Sequence, residues 1–150
     1  MLVCSTGGHL VQLVALREAW QGFSRAWVTF DKSDARSLLA EESVYFAYGP
    51  TNRSIKNLLR NGLLAWRILH EVRPRAILTT GAGVAVPFAW VGRLFGTRTI
   101  YVESLARIEA PSLTYRLVAP VTERLYVQWP DLADAETRAR FVGSVFSAAV

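Results

Sequence analysis

The first ten residues, 1–10, constrain the possible folds of this chain more than any other stretch. The apolar run Leu2-Val3-Cys4 leads into a turn of small residues, Ser5-Thr6-Gly7-Gly8, and an apolar helical stripe follows His9. A strand, a glycine turn and a helix in this order form the opening unit of a doubly wound α/β fold. The two glycines permit positive φ and close approach of another group. We therefore expect the N–H groups at the start of this helix to face a ligand above the strand.

The same alternation of strand and helix continues along the chain. Strands are predicted at residues 26–30, 44–47, 76–80, 97–102 and 124–128, with a last short one at 141–143, and helices at 10–20, 33–39, 52–72, 84–95 and 112–118. This pattern predicts an α/β fold with a doubly wound, mostly parallel Rossmann-like sheet and helices on both faces. The expected strand order is the common 3-2-1-4-5-6. A chain of 150 residues fits one such domain, spanning residues 1–150.

Composition narrows the functional classes. The chain is 51% hydrophobic and carries 17 basic against 12 acidic residues, a net charge of +5. This balance fits an anionic lipid surface or an acidic substrate, and no RNA-type aromatic motif or dense basic helix predicts nucleic-acid binding. Cys4 is the single cysteine, and no cluster of metal-ligating residues is visible, so neither a disulfide framework nor a bound metal or cofactor is expected. No signal peptide is expected, since the apolar start is short and lacks a basic lead.

Small and chemically active residues follow the first, fourth and fifth predicted strands. Because carboxyl ends of parallel strands meet at one edge of a sheet, these residues are expected to share a crevice. Two glycine turns would offer N–H groups to a phosphate or diphosphate, and His9 or Glu103 could accept a proton from a hydroxyl. The candidate anion-binding residues are Ser5, Thr6, Gly7, Gly8, Gly81, Ala82, Gly83, Ser104, Arg107 and Arg116.

Two apolar stretches raise the question of a membrane. The uncharged run 76–92 is too short for a transmembrane helix and is divided by glycines, so a membrane span is not predicted. On the helix 52–72, the stripe through Ile55, Leu58, Leu59, Gly62, Ala65, Trp66, Leu69 and Val72 is predicted to face the core. Leu64 and Ile68 then point outward among Arg60 and Arg67, which fits a membrane interface. Two ordinary exposed apolar side chains are the alternative.

A dinucleotide-binding domain is a further alternative. Asp31 follows the second strand, about where a ribose-binding acid is expected. The first turn, however, lacks the spaced glycines of the fingerprint, and His9 is bulky where a pyrophosphate would pass. An NAD(P)-binding function is therefore the less favoured interpretation.

Several motifs in order resemble a known family. They are Val3-Cys4-Ser5-Thr6-Gly7-Gly8-His9-Leu10, Trp27-Val28-Thr29-Phe30, Thr79-Thr80-Gly81-Ala82-Gly83, Tyr101-Val102-Glu103-Ser104 and Phe141-Val142-Gly143-Ser144. They resemble the bacterial PssD-type exopolysaccharide proteins, relatives of the eukaryotic ALG acceptor-side subunit of the UDP-GlcNAc transferase. More distantly, the chain is similar to the N-terminal half of MurG, in which a Gly-Gly-His turn and a Glu flank the acceptor site.

This resemblance implies half of a GT-B glycosyltransferase with inverting chemistry. The chain would be a membrane-associated subunit that binds a lipid-diphosphate-linked saccharide, while a separate PssE-type subunit binds the nucleotide sugar, expected to be a UDP-sugar. Glu103, as the first choice, or His9 would deprotonate the acceptor hydroxyl. Since Met1 already begins the first strand and no anchor is visible, peripheral attachment to the cytoplasmic face of the inner membrane is expected. The alternative within this family is a non-catalytic membrane platform that recruits the catalytic subunit.

Overall fold

Parallel strands in one sheet form the centre of the molecule. A computed structural model describes residues 1–135 and 138–146, and in this part of the chain seven strands pair in the order β3-β2-β1-β4-β5-β6-β7. The strands are β1 (Leu2–Val3), β2 (Trp27–Phe30), β3 (Val44–Ala47), β4 (Ala76–Thr79), β5 (Arg98–Val102), β6 (Arg124–Val127) and β7 (Ala139–Phe141). The predicted fold class and the order of the first six strands are confirmed, and β7 extends the sheet beyond β6.

Helices connect the strands and cover both faces of the sheet. They are α1 (Gly8–Ala15), α2 (Arg17–Trp20), α3 (Ser33–Leu38), α4 (Ile55–Val72), α5 (Ala85–Leu94), α6 (Leu113–Val118), a 3₁₀ turn (Ala119–Val121) and α7 (Pro130–Ala135). The predicted helix 10–20 is broken at Leu16. Trp20 then turns back, so that its indole N–H donates to the Leu13 carbonyl at 2.9 Å and its ring packs edge-on against Trp27. Helix α7 was not expected from the sequence.

Alternation along the strands divides the core between the two faces of the sheet. Leu2 and Cys4 point to the face covered by α1 and α3, whereas Val3 and Val28 pack beneath α4 and α5. A third apolar cluster lies under α6 and α7. This is the arrangement expected for a parallel sheet, whose strands are buried on both sides.

The orientation predicted for α4 is confirmed at Ala65 and Leu69, which are buried, and is wrong at Leu64 and Ile68. Leu64 is 7% exposed and Ile68 is fully buried in the core against β1 and β2, so neither faces a membrane. The buried stripe of α4 also contains Asn57 and Asn61, whose side chains bind backbone groups of the segment after β3. Apolar residues occur all around this helix, so their spacing alone does not identify the side that contains Leu64 and Ile68 as buried.

Half of the α4 residues that are exposed to solvent are apolar. Ile55, Leu59, Leu63 and Trp66 are each more than half exposed, and we call this set the exposed α4 face. Arg60 and Arg67 are exposed as predicted, and the Arg60 guanidinium lies 3.7 Å from the centre of the Tyr48 ring. Among the described helices, none combines the length and apolar character required to cross a bilayer.

Candidate functional site

A large groove lies at the edge of the sheet where the strands end. Its volume is about 1750 Å³, and we call it the sheet-edge groove. It brings together, from the tips of β1, β4 and β5, the predicted site residues Ser5, His9, Ala82, Gly83, Glu103, Ser104 and Arg107. The convergence of distant parts of the chain follows from the strand order, which places β1, β4 and β5 side by side.

Other predicted site residues are outside the groove wall: Thr6, Gly7, Gly8, Gly81 and Arg116. The Gly7 N–H donates to a carboxylate oxygen of Asp34 at 2.7 Å, and the Gly81 N–H donates to the Thr79 hydroxyl at 3.0 Å. Two N–H groups that were expected to bind an anion are therefore already occupied. Asp34 also brings negative charge to the first glycine turn, which disfavours a phosphate there.

His9 is held by a pair of hydrogen bonds with the end of β4. Its Nδ1 lies 2.7 Å from the Thr80 carbonyl oxygen, while the Thr80 hydroxyl donates to the His9 carbonyl, also at 2.7 Å. Because a carbonyl only accepts, Nδ1 must carry the proton, and Nε2 of the neutral ring then has a free lone pair. No hydrogen bond among the described residues uses Nε2. The half-buried ring in the groove wall thus has the tautomer of a proton acceptor.

Glu103 lies directly beneath the groove wall but exposes none of its surface. Oε1 accepts from the Tyr101 hydroxyl at 3.2 Å and the Ser104 N–H at 2.8 Å, and Oε2 accepts from the Ser112 N–H at 2.8 Å. Burial, with the added charge of Glu103, raises the pKa of the Tyr101 phenol, so that this hydroxyl stays protonated. The carboxylate predicted to be the base is therefore engaged by the protein itself.

Residues 49–54 form a wall of the groove that the sequence interpretation missed. This segment follows the carboxyl end of β3, and that position was the available signal. Asn61 holds the residue before this segment: its side chain accepts from the Tyr48 N–H at 2.8 Å and donates to the Tyr48 carbonyl at 2.9 Å. Gly83 faces it so closely that a β-carbon there would lie 2.9 Å from the side chain of Thr51.

Charge along the groove is mainly positive. Lys32, Arg53 and Arg107 line it, and the first two were not among the predicted site residues. Asp31 also lines the groove, but Arg36 binds its carboxylate with two hydrogen bonds of 2.6 and 2.8 Å and lowers its pKa. Arg36 compensates the charge of Asp31, and the other carboxylate, that of Glu103, is buried among donors of the protein, so the groove favours an anionic ligand.

A second, apolar groove continues from the first one. It has a volume of about 660 Å³ and runs between α4 and α5, so we call it the α4–α5 groove. Leu58 and Val86 belong to both grooves. The remaining lining residues are Leu59, Gly62, Leu63, Pro87, Trp90 and Val91, so the groove borders the exposed α4 face. A polar and basic groove thus lies directly beside an apolar one.

Solved structures of similar fold belong to proteins with different activities. The chain is similar to MurG from Acinetobacter baumannii, with a TM-score of 0.74 and 17% identity over 93% of this chain and 44% of that one. It is also similar to UDP-N-acetylglucosamine 2-epimerase from Rickettsia bellii, with a TM-score of 0.72 and 13% identity over 97% of this chain and 44% of the epimerase. The chain spans less than half of each enzyme. At these identities the likeness shows a Rossmann-like fold of the GT-B N-terminal type and nothing about the reaction.

Sequence relatives are more specific. The "UDP-N-acetylglucosamine transferase subunit ALG14" of Yarrowia lipolytica is 35% identical over 173 aligned residues, which cover 95% of this chain and 79% of that protein. The profile of the family described as "Oligosaccharide biosynthesis protein Alg14 like" matches residues 48–145, more than half of the chain. The chain therefore belongs to the Alg14-like family of oligosaccharide biosynthesis proteins.

Proposed function

We propose that this chain is the acceptor-side subunit of a two-component glycosyltransferase of the bacterial PssD type. In this proposal the described domain is one half of a split GT-B enzyme, and a separate PssE-type subunit binds the donor and is required for activity. The name of the Yarrowia relative, a subunit of a UDP-N-acetylglucosamine transferase, supports a UDP-sugar as the donor.

The observation that carries the proposal is the tautomer of His9 within a basic groove. With Nδ1 held by the Thr80 carbonyl, Nε2 can accept the proton of the acceptor hydroxyl. The hydroxyl oxygen forms a bond to the anomeric carbon of the donor as the bond to the nucleotide phosphate breaks, with inversion at that carbon. The nucleotide diphosphate leaves with the electron pair. Geometry favours His9 over Glu103 as this base, because donors within the protein already occupy the Glu103 carboxylate.

The joined grooves suit an acceptor with a polar head and a lipid tail. A saccharide with its diphosphate would lie in the sheet-edge groove beside Lys32, Arg53 and Arg107, and the lipid would follow the α4–α5 groove. The other proposed phosphate contacts are at Ser5, Ala82, Gly83 and Ser104. This assignment leaves out the Gly7 N–H, which donates to Asp34.

The exposed α4 face supports peripheral contact with a bilayer. Ile55, Leu59, Leu63 and Trp66 form an apolar strip along one side of the helix, with Arg60 and Arg67 also exposed on α4. Apolar side chains with a basic fringe are typical of helices that lie in the interface of anionic membranes. The proposed location is the cytoplasmic face of the inner membrane.

The test is co-expression with the product of a neighbouring reading frame, as the candidate donor-binding subunit, followed by transfer from a panel of UDP-sugars to lipid-linked acceptors. His9→Ala is expected to lower kcat by a factor of about 10² to 10⁴ while the pair still assembles. His70→Ala is the matched control, because His70 is exposed near the end of α4, outside the groove, and should leave kcat unchanged. Full activity of His9→Ala would contradict the catalytic role and favour a non-catalytic platform.

A further inference from the structure

The buried Glu103 carboxylate connects the two ends of one surface segment. Its Oε1 accepts from the Ser104 N–H and its Oε2 from the Ser112 N–H, each at 2.8 Å, and these residues bound segment 104–112. Residues 106–110 between them are all exposed and belong to neither a helix nor a strand. A single side chain thus closes a loop of nine residues at the rim of the sheet-edge groove.

Other contacts fix Glu103 independently of this loop. Its N–H donates to the Tyr126 carbonyl at 2.8 Å, and its own carbonyl accepts from the buried side chain of Gln12 at 3.0 Å. Gln12 also accepts from the Leu105 N–H at 3.1 Å, which anchors the beginning of the segment. The far end is held differently, because Ser112 forms hydrogen bonds with Glu103, Tyr101 and the first turn of α6. The carboxylate is therefore the main polar anchor of that end.

The segment carries Arg107 into the groove wall. The Arg107 N–H donates to the Ser104 carbonyl at 2.9 Å, and its side chain lines the sheet-edge groove. The positive charge of Arg107 also acts on the buried Tyr101 phenol beside Glu103, where it opposes the rise in pKa that burial causes. If the segment opened, the position of this guanidinium relative to His9 would no longer be defined.

We infer that Glu103 is a positioning residue whose carboxylate closes segment 104–112 and so places Arg107 against the anionic group of the acceptor. Three donors converge on the carboxylate, whose two oxygens have lone pairs for all three. The role in acceptor binding rests on the proposed function. The closure itself depends only on contacts within this chain.

Glu103→Gln tests the closure without a substrate. The amide keeps the shape but presents a donor to either the Ser104 or the Ser112 N–H, so one bond is lost. We expect hydrogen exchange of the amides in residues 104–110 to become about tenfold faster or more, while exchange in β4 and β5 stays unchanged. Wild-type exchange in residues 104–110 of this variant would overturn the inference.

Ser112→Pro opens the same closure from the other side. The φ of Ser112 is −66°, which proline adopts, but proline has no N–H and places its ring where Oε2 lies. Exchange in residues 104–110 should rise as in Glu103→Gln. Ser112→Ala is the control, since it keeps the N–H and loses only the hydroxyl, and exchange there should remain within about threefold of wild type. Equal exchange in the proline and alanine variants would count against the closure.

Kinetic measurements on the reconstituted pair distinguish a positioning role of Glu103 from a catalytic one. Loss of one charge-assisted hydrogen bond should raise the KM for the acceptor about tenfold in Glu103→Gln. Arg107→Ala should raise the same KM in the wild type and have little further effect in Glu103→Gln, because the guanidinium is already displaced. A fall in kcat alone, with unchanged exchange, would make Glu103 the base and overturn the inference. Absence of transfer by the wild-type pair would contradict the proposed function, and the exchange results would still decide the closure.

Discussion

At the scale of single residues, hydrogen bonds determine which of the chemically active groups remain available. His9 and Glu103 were both candidates for the base, and each meets backbone groups of the sheet edge. The imidazole uses one nitrogen and keeps the other free, whereas the carboxylate is engaged at both oxygens. The residue types could be chosen from the sequence. Their partners could not, because Thr80 and Ser112 approach only in the folded chain.

Cys4 gives a prediction on pH dependence. Burial raises the pKa of its thiol from 9.0 to about 12, so above pH 9 the unfolded chain loses this proton and the folded chain does not. Folding is therefore disfavoured as the pH rises from about 9 to 12. The free energy of unfolding should fall by up to about 1.4 kcal/mol per pH unit more steeply in the wild type than in Cys4→Ala. Parallel slopes in urea titrations of both proteins between pH 9 and 10.5 would contradict this.

Gly83 tests the close contact of two groove walls. A β-carbon at this position would lie 2.9 Å from Cβ and Oγ1 of Thr51 and 3.3 Å from its carbonyl oxygen. Gly83→Ala should therefore lower the free energy of unfolding by about 1–3 kcal/mol. Gly62→Ala in α4, where nothing lies within 4 Å of the added carbon, should raise it by about 0.5–1 kcal/mol. Chemical denaturation measures the free energy of unfolding of both variants, and an equal change in the two would rule out the steric explanation.

At the scale of elements, α4 shows where a sequence pattern becomes ambiguous. Its existence, its end before Pro74 and the basic residues along it were predicted. Its buried face was predicted only in part, because Asn57 and Asn61 are turned inward to bind the backbone near Tyr48 and Pro50. A buried helix face is recognised from the sequence by apolar residues at helical spacing, and two asparagines on that face break the pattern. The backbone groups that bind the two asparagines lie outside the helix, so the spacing of residues along the helix does not reveal them.

Truncations on the two sides of α4 test the corrected orientation. Ile68→Ala removes a fully buried side chain and should lower the free energy of unfolding by about 2–5 kcal/mol. Leu63→Ala, at a position 77% exposed, should change it by no more than about 0.5 kcal/mol. Thermal or urea unfolding measures both. A loss for Leu63→Ala as large as that for Ile68→Ala would contradict the corrected orientation.

At the scale of the whole molecule, the order of the strands joins a basic groove to an apolar surface. The sheet-edge groove is lined by Lys32, Arg53 and Arg107, and it shares Leu58 and Val86 with the α4–α5 groove. That second groove ends beside the exposed α4 face. Such continuity is the physical basis for assigning the polar end to a diphosphate sugar and the apolar end to a lipid.

Flotation with vesicles tests the membrane contact. The chain should float with anionic vesicles, bind neutral ones less well and lose affinity as salt is added, because basic residues flank the apolar strip. Replacing Leu63 and Trp66 together by Gln should weaken binding at least about tenfold, since each apolar side chain contributes when it leaves water. Leu38→Gln is the control, because Leu38 is 50% exposed on α3, across the sheet. An equal loss in the control, or no flotation at all, would contradict the proposal.

The sequence by itself determined the alternation of strands and helices, the parallel sheet, its order through β6 and the meeting of three strand tips at one edge. These follow from local periodicity, glycine positions and the rules that connect parallel strands, which depend on neighbours along the chain. Only the tertiary structure decided which N–H groups stayed free, which face of α4 was buried and that residues 49–54 complete the groove. These outcomes depend on pairs such as Gly7 with Asp34 and Gly83 with Thr51, whose members are brought into contact by packing.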